Sequence, residues 1–419
     1  MTISNKYLFL QKKYNMITKE ILENVIDNQQ KDFESINAGL QREVFASIPQ
    51  IDSFATVVTG LRRCGKSTLL LQKLRKEKRN VVFINFDDIR FSSFDATDFN
   101  RLHLILKERN IEVVFLDEIQ IMDKWEVFVH QLLRESFTVY VTGSNASLLS
   151  IEMSSHLTGR NIGFELFPFS YNEFLKYEGL NPSVETSKQY MEFGGMPEYV
   201  KNKQKIILSQ LVDDILLKDI AVRYSIRDIS SLRMLASYLI SNVGNYISSN
   251  KLAGMFNIKS VSAINEYLSY IENAYLFFFV PFFNYSLKVQ QRHPRKIYAV
   301  DTGIISALSR SMKDDYGHIL ENLVFLHLRR KYKQIYYYQN KGECDFVAID
   351  NNNKHLIQVC SELTDFNTER ELNGIFNALD DLSVANGTIV TFSQKDIFTY
   401  NNKVVNVIPL HEYLLEQMP

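Results

Sequence analysis

Hydrophobic residues between positions 55 and 143 occur in short continuous runs that alternate with longer amphipathic segments. Several of these runs have the length and the β-branched content of buried strands. They lie at residues 55–59, 81–87, 113–120 and 139–143. Between them, helical periodicity predicts one helix that ends near residues 78–80 and another at residues 102–109. This alternation predicts an α/β fold with a parallel sheet as its core.

Other parts of the chain have different patterns. Helical periodicity at residues 17–26 and 40–48 predicts a lead-in that packs beside the first domain. Further along, the pattern predicts two helices and then two strands joined by a polar basic loop, at residues 247–256, 260–273, 275–283 and 296–300. Helix-turn-helix followed by a β-hairpin is the order of a winged helix. From about residue 317 the pattern changes to a helix, three strands and another helix.

The loop between the first strand and the first helix is framed by Gly60 and Gly65 and ends in Lys66 and Ser67. Glycines allow backbone N–H groups to approach phosphate oxygens, and the start of the helix adds a positive dipole end. Lys66 would reach the β- and γ-phosphates, and Ser67, or Thr68 beside it, would offer an oxygen to Mg²⁺. We expect the whole loop to hold nucleotide: Gly60, Arg62, Arg63, Cys64, Gly65, Lys66, Ser67 and Thr68.

Two carboxylates, Asp117 and Glu118, follow the apolar run that begins at Val113. Because parallel strands present their carboxyl ends at one edge of a sheet, both should face the phosphates held by Lys66. Asp117 would hold Mg²⁺ directly or through water, and Glu118 would orient and deprotonate the attacking water. Paired with the glycine-framed loop about 50 residues earlier, they predict the second half of a nucleotide hydrolase site.

Small polar residues also follow the fourth strand. Ser144 or Asn145 could contact the attacking water or the γ-phosphate as a sensor, or could cap a helix at residues 146–151. Arg160, in the sequence Leu-Thr-Gly-Arg, could reach nucleotide in its own or a neighbouring subunit, or could form a surface ion pair. The residues alone leave both alternatives open.

Length, charge and cysteine content narrow the classes of protein. A chain of 419 residues favours two or three domains. The formal net charge of −1 excludes a global field that attracts DNA or membrane. Cys64, Cys344 and Cys360 are too few and too far apart for a disulfide framework, so we expect a cytoplasmic protein. Cys64 either has a reactive thiol beside Arg63 or fills space. No run approaches the roughly 18 apolar residues of a spanning helix, so we expect no membrane partner.

A set of motifs spread over most of the chain resembles the AAA-type ATPases of bacteria and archaea. They are residues 60–67, 116–120 with Trp125, 142–145, 157–160, 167–171 and 194–198. The resemblance implies an AAA-like core, a winged-helix segment and a carboxyl-terminal domain like restriction endonucleases. We therefore expect a helical lead-in, an ATPase domain, a linker with winged helix and a nuclease-like domain at residues 1–37, 38–205, 206–305 and 306–419.

The basic loop of the expected winged helix would be its wing. Its basic residues are Lys288, Arg292, His293, Arg295 and Lys296. They would suit contact with the phosphates of double-stranded DNA. The alternative is a solvated hairpin tip in a domain that contacts protein, since Glu266 and Glu272 lie on the second helix.

In nuclease-like sites an acid on one strand and an acid-x-Lys on the next hold Mg²⁺ and activate water. The matching positions here are Glu321, Asp345, Gln358 and Cys360. Gln358 is neutral where a carboxylate would bind metal, and Cys360 stands where lysine is wanted. We therefore expect a nuclease fold without catalysis.

The leading hypothesis is a Mg²⁺-dependent ATPase whose nucleotide state moves the later domains, with DNA as a partner. No base-reading motif chooses ATP over GTP, and the resemblance points to ATP. An alternative is a nucleotide-controlled switch with little turnover that binds protein or DNA, and a metal-dependent nuclease is a third. If Arg160 acts in a neighbouring subunit, the protein would be a homo-oligomer.

Overall fold

The computed structural model describes residues 17–146, 159–256, 258, 260–309, 316–340 and 342–416. The described chain divides into two units. The first holds the residues up to Gly60 and from Gly65 to Leu166, and the second holds Leu61–Cys64 and everything from Phe167 onward. The predicted domain boundaries at residues 37, 205 and 305 stay predictions. Among the described helices none is both long and apolar enough to span a bilayer.

The first unit is built on a five-stranded parallel sheet in the order β2-β3-β4-β1-β5. Its strands are β1 (Ala55–Thr59), β2 (Val81–Asn85), β3 (Val113–Asp117), β4 (Thr138–Gly143) and β5 (Asn161–Glu165). Its helices are α1 (Lys19–Ser35), α2 (Lys66–Lys76), α3 (Asp98–Glu108) and α4 (Trp125–Arg134). The sheet confirms the predicted α/β class with a parallel P-loop core. Buried aliphatic and aromatic side chains from strands and helices form one continuous core.

Several element ends differ from the sequence pattern. Helix α1 extends beyond residue 26 because Phe33 stays buried and stacks on Phe83, with ring centroids 3.5 Å apart. The predicted helix at residues 40–48 is only a 3₁₀ turn at Glu43–Ser47, since Pro49 disfavours helical backbone at the preceding residue. The third strand ends at Asp117 because Glu118 has a left-handed backbone with φ of 53°.

Helices begin the second unit, at α5 (Tyr171–Glu178), α6 (Val184–Phe193), α7 (Pro197–Asn202), α8 (Ile206–Asp214) and α9 (Ile229–Ile240). A π-helical stretch, Ile215–Val222, continues directly from α8. The next elements are β6 (Tyr246–Ile247), α10 (Ser249–Met255), α11 (Val261–Asn273), β7 (Phe277–Val280), α12 (Leu287–Arg292), β8 (Arg295–Ala299) and α13 (Thr302–Leu308). Strands β6, β8 and β7 form a three-stranded antiparallel sheet in that order.

Two features correct the middle of the prediction. The aromatic strand is shorter than residues 275–283, because Tyr275 has φ of 60° and Pro281 follows the last strand residue. The loop after it is not wholly irregular, since it contains α12. The second predicted helix is confirmed at its start, where the Ser260 side chain accepts a hydrogen bond from the Ala263 N–H.

The last part of the second unit is a six-stranded mixed sheet in the order β13-β14-β12-β11-β10-β9. Its elements are α14 (Tyr316–Lys331), β9 (Gln334–Gln339), β10 (Glu343–Asp350), β11 (Asn353–Val359), α15 (Thr368–Asp381), β12 (Asn386–Thr391), β13 (Asp396–Tyr400), β14 (Lys403–Pro409) and α16 (Leu410–Tyr413). The predicted order of helix, three strands and helix is confirmed from α14 to α15. A core of its own lies between this sheet and α15.

Candidate functional site

The candidate site lies at the carboxyl edge of the parallel sheet. Strand β4 lies between β1 and β3, and all three run in the same direction. The glycine-framed loop leaves β1 and the two acids leave β3, so both reach the same edge with the end of β4 between them. Sheet topology therefore brings together groups that lie far apart in the sequence.

The backbone of the loop requires glycine at both ends. Gly60 has φ of 150° and Gly65 has φ of 104°, which side chains with a Cβ rarely adopt. Gly65 is also the residue that precedes α2, so the loop ends at a helix N-terminus. Lys66 is buried, and its ammonium donates to the Gly60 carbonyl at 3.0 Å. The lysine is thus held across the loop, where a phosphate oxygen could replace the carbonyl as acceptor.

Asp117 links the two halves of the site. The Ser67 hydroxyl donates to Asp117 Oδ2 at 2.9 Å, and the Thr142 hydroxyl donates to Oδ1. Asp117 is only 4% exposed. Burial, together with the charge of Glu118, raises the pKa of Asp117 to about 6. A nearby cation would favour its ionised form. The hydroxyl and carboxylate supply the hard oxygen ligands that Mg²⁺ prefers.

Glu118 has a strained backbone, since φ of 53° is uncommon for a residue other than glycine. Its N–H donates to Thr142 Oγ1 at 3.3 Å, and the Gln120 side-chain amide donates to its carboxylate. Thr142 therefore positions both acids. The sequence pattern gave Thr142 no role, although its position two residues before Ser144, near the end of β4, was a usable signal.

Ser144 and Asn145 follow β4 and are buried, at 3% and 0% exposure. That position is compatible with a sensor role, which stays a prediction. The alternative, a cap for a helix at residues 146–151, concerns residues 147–151, which lie outside the described part of the chain.

Arg160 lies where the parallel strands begin, whereas the loop lies where they end. Its carbonyl accepts from the N–H of Ala55, the first residue of β1, whereas the loop follows Thr59, the last. Five strand residues span roughly 16 Å, which exceeds the reach of an arginine side chain. This separation disfavours contact of Arg160 with nucleotide in its own subunit, which stays a prediction. A role in a neighbouring subunit stays a prediction, and Leu157 and Thr158 of the motif lie outside the described residues.

The tip of the loop, Leu61–Cys64, has its contacts inside the second unit. Arg62 forms an ion pair with Asp219 at 3.0 Å, on the π-helical stretch. Arg63 pairs with Asp214 at 3.2 Å and with Glu198 at 3.4 Å. Cys64 has no exposed surface, which favours the space-filling interpretation over a reactive thiol.

The basic residues near β8 do not share one environment. Lys288 and Arg292 are exposed on or at the end of α12. Arg295 is half-buried, with its guanidinium 4.7 Å from the centre of the Phe279 ring. Lys296 is buried at 3% exposure. The prediction that Lys296 contacts DNA is wrong, because its side chain points into a cluster of carboxylates.

That cluster contains most of the predicted nuclease-like positions. Lys296 Nζ lies 3.0 Å from Glu321 Oε1 and 2.8 Å from Asp345 Oδ1. Gln358 accepts from the Asp345 N–H at 3.1 Å and donates to Glu371 Oε2 at 2.8 Å. These contacts bring Glu321, Asp345 and Gln358 together.

Cys360 follows β11, and its thiol donates to the Glu362 carbonyl at 3.1 Å. The sequence analysis missed both Lys296 and Glu371 as members of the cluster. Only the alternation of β8, which places position 296 on the same face as Tyr298, could have indicated the lysine.

Comparison with known proteins places this architecture in a family. The sequence profile of an AAA domain matches residues 52–175. Profiles of two domains of unknown function, DUF8612 and DUF4143, match residues 184–315 and 316–413. An uncharacterized protein of Methanocaldococcus jannaschii is 35% identical, over 97% of this chain and 95% of the relative. The chain belongs to this AAA-domain family.

Another member, an uncharacterized protein of Haemophilus influenzae, is 30% identical over 74% of this chain and 83% of its own. The AAA-domain match and the parallel sheet support an AAA-type, nucleotide-binding ATPase. Solved structures show only distant likeness. A STAND protein of Pyrococcus horikoshii is 12% identical with a TM-score of 0.29, over 71% of this chain and 46% of its own. Cdc6p of Pyrobaculum aerophilum is 13% identical with a TM-score of 0.23, over 73% of this chain and 93% of its own.

Proposed function

We propose that the protein binds Mg²⁺ and ATP at residues 60–68 and hydrolyses the nucleotide, and that its nucleotide state controls the second unit. The observation that carries this proposal is the hydrogen-bonded group of Ser67, Asp117 and Thr142. It joins the loop that would hold phosphates to the strand end that would hold the metal.

Each residue has a defined task in this proposal. The N–H groups of the loop and the start of α2 bind phosphate oxygens, and Lys66 exchanges the Gly60 carbonyl for the β- and γ-phosphates. Ser67 and Asp117 are the residues that would hold Mg²⁺, which supplies charge neutralisation at the phosphates. Glu118 accepts a proton from the attacking water. Asn145 is the sensor candidate, and Arg160 is the candidate that a neighbouring subunit would supply.

Measurements of nucleotide binding and phosphate release on matched variants test the proposal. Lys66→Ala should lose nucleotide binding. Glu118→Gln should keep binding and lose turnover by a factor of about 10² or more, because a general base contributes that much. Lys78→Ala, an exposed lysine just after α2, is the control and should behave as the parent does. Parental turnover in both Lys66→Ala and Glu118→Gln would refute the assignment.

We also propose that residues 229–299 form a winged helix that contacts double-stranded DNA. The order α9, β6, α10, α11, β7 and β8, with β8 between the other two strands, supports the fold. The exposed charges of Lys288 and Arg292 support the DNA contact, in which Lys296 has no part.

DNA binding at several salt concentrations tests this second proposal. The Lys288→Ala and Arg292→Ala variants should each weaken binding and lower the slope of log affinity against log salt by about 1. Lys201→Ala, an exposed lysine on α7, is the matched control. If neither variant changes DNA binding, or if DNA leaves ATP turnover of the parent unchanged, protein partners become the better hypothesis.

A further inference from the structure

The Lys296 ammonium is enclosed by carboxylates from two elements of the second unit. It lies 2.8 Å from Asp345 on β10 and 3.0 Å from Glu321 on α14, with Glu343 at 3.7 Å. The lysine side chain is only 4% exposed. An ammonium buried this deeply is stable only with close counter-charges, so these contacts define a specific cation position.

The carboxylate oxygens around this position already have donors. The Tyr298 hydroxyl donates to Glu321 Oε1 at 2.6 Å, and the Val359 N–H donates to Asp345 Oδ2 at 2.9 Å. The Gln358 carbonyl oxygen accepts the Asp345 N–H. A divalent ion would in addition need the lone pairs of Glu321 Oε1 and Asp345 Oδ1 that now accept from the Lys296 ammonium. Within the described residues no group of three His, Cys, Asp or Glu side chains is arranged to hold a metal.

The charges of the cluster also favour the lysine, and not a divalent metal, at this position. Burial alone would lower the pKa of Lys296, but Asp345 and Glu321 reverse this effect and raise the pKa above its ordinary value. The lysine is therefore in its charged form at neutral pH. Without it, two carboxylates would face each other in a buried site, which is strongly unfavourable.

We propose that the Lys296 ammonium is the resident cation of this cluster, in the place where a nuclease-like site would bind a divalent metal, and that its removal creates a divalent-cation site. The Mg²⁺ that such a fold implies does not fit the side chains present. The lysine comes from β8 of the three-stranded sheet, and the carboxylates come from α14 and β10. These ion pairs therefore link the three-stranded sheet to the six-stranded sheet inside the second unit.

An ion could reach the position once the lysine is gone. The cluster lines a polar cavity of about 710 Å³, to which Glu343 and Glu371 add further negative charge. With Lys296 removed, Glu321 and Asp345 would supply two oxygen ligands and the cavity would supply water. This inference concerns a site separate from the nucleotide loop and does not depend on ATP hydrolysis.

The test is a Mn²⁺ titration of the full, nucleotide-free chain, followed by electron paramagnetic resonance of free Mn²⁺ and by melting temperature. The parent and Asp345→Asn should bind Mn²⁺ equally. Lys296→Met should melt several degrees lower without metal, gain one Mn²⁺ site, and regain melting temperature when Mn²⁺ is added. Lys333→Met, at an exposed lysine, is the control for charge removal and should gain no site.

The double variant Lys296→Met with Asp345→Asn distinguishes the effect of the buried charge on melting temperature from the effect of lost packing. It should bind no additional Mn²⁺ and should melt higher than Lys296→Met alone, because the uncompensated charge is removed. If folded Lys296→Met protein can be purified only when Mn²⁺ is present, that result would also support the proposal. Three results would overturn it: an Asp345-dependent Mn²⁺ site in the parent, a folded Lys296→Met without such a site, or a double variant that melts lower than the single one.

Discussion

Gly195 lies between α6 and α7 at a point where three segments of backbone meet. Its carbonyl accepts from the Phe169 N–H at 2.7 Å, and its N–H donates to Asp301 Oδ2 at 2.6 Å. A Cβ added at Gly195 would lie 2.2 Å from the Phe169 carbonyl oxygen and 2.8 Å from its nitrogen. Both atoms are backbone, so a rotamer change cannot relieve the contact.

The size of the effect of Gly195→Ala follows from this geometry. Contacts of real Cβ atoms essentially never fall below 3.0 Å, so the two segments must separate by at least 0.8 Å, the difference between 3.0 and 2.2 Å. Overpacking of this kind costs about 1–3 kcal/mol. Opening each buried hydrogen bond at the glycine costs a further ~1–3 kcal/mol. With one overpacking term and two hydrogen bonds, we therefore expect Gly195→Ala to lower the free energy of unfolding by roughly 3–9 kcal/mol.

Urea unfolding can assign this loss to the second unit. Trp125 is the only tryptophan of the chain and lies in the core of the first unit, so its fluorescence reports that unit. Circular dichroism at 222 nm reports both units. The transition seen by circular dichroism but not by tryptophan fluorescence should move to lower urea in Gly195→Ala.

Gly254→Ala is the matched control, because Gly254 lies in helix α10 with no atom within 4 Å of an added Cβ. It should be neutral or stabilise by up to about 1 kcal/mol, since alanine favours helix. A loss below about 1 kcal/mol in Gly195→Ala, or an equal loss in the control, would refute the steric reasoning.

Three further changes give separate tests. Burial raises the pKa of Asp301 to about 6. The folded protein therefore keeps a proton that the unfolded chain releases from about pH 4. As a result, the free energy of unfolding falls by up to ~3 kcal/mol as the pH rises to 6. Asp301→Asn should remove this contribution, so that the free energy of unfolding in urea falls less between pH 4 and pH 7 than in the parent, and an unchanged pH dependence would contradict it. Ser260→Ala removes the cap of α11 and should lower the free energy of unfolding by about 1 kcal/mol in the same assay. Thr142→Val removes the hydroxyl that donates to Asp117 and should lower ATP turnover at least about tenfold, whereas Thr142→Ser should retain most of it. Equal rates for the valine and serine variants would exclude this positioning role.

Local pattern was sufficient to predict the parallel sheet and the loop. The runs at β1 and β3 are uniformly apolar because both faces of those strands are buried, and this signal is contained in a few consecutive residues. The need for glycine at positions 60 and 65 is equally local, since it follows from backbone conformation.

The environment of a charged side chain could not be predicted in this way. Lys296 and Arg292 look alike in the sequence, yet one is buried between carboxylates and the other is exposed. The partners of Lys296 are 25 and 49 residues away, and they meet it only through the packing of separate elements. The end of the sheet at which Arg160 lies could not be predicted for a related reason, because it depends on the direction of β5.

The left-handed backbone of Glu118 has a consequence for the balance between folding and chemistry. An L-residue with a Cβ loses about 1–2 kcal/mol in this conformation, whereas glycine adopts it freely. Glu118→Gly should therefore give a protein that unfolds at higher urea yet has no carboxylate to accept a proton from water. At this one position the residue best for stability and the residue best for the proposed reaction are different.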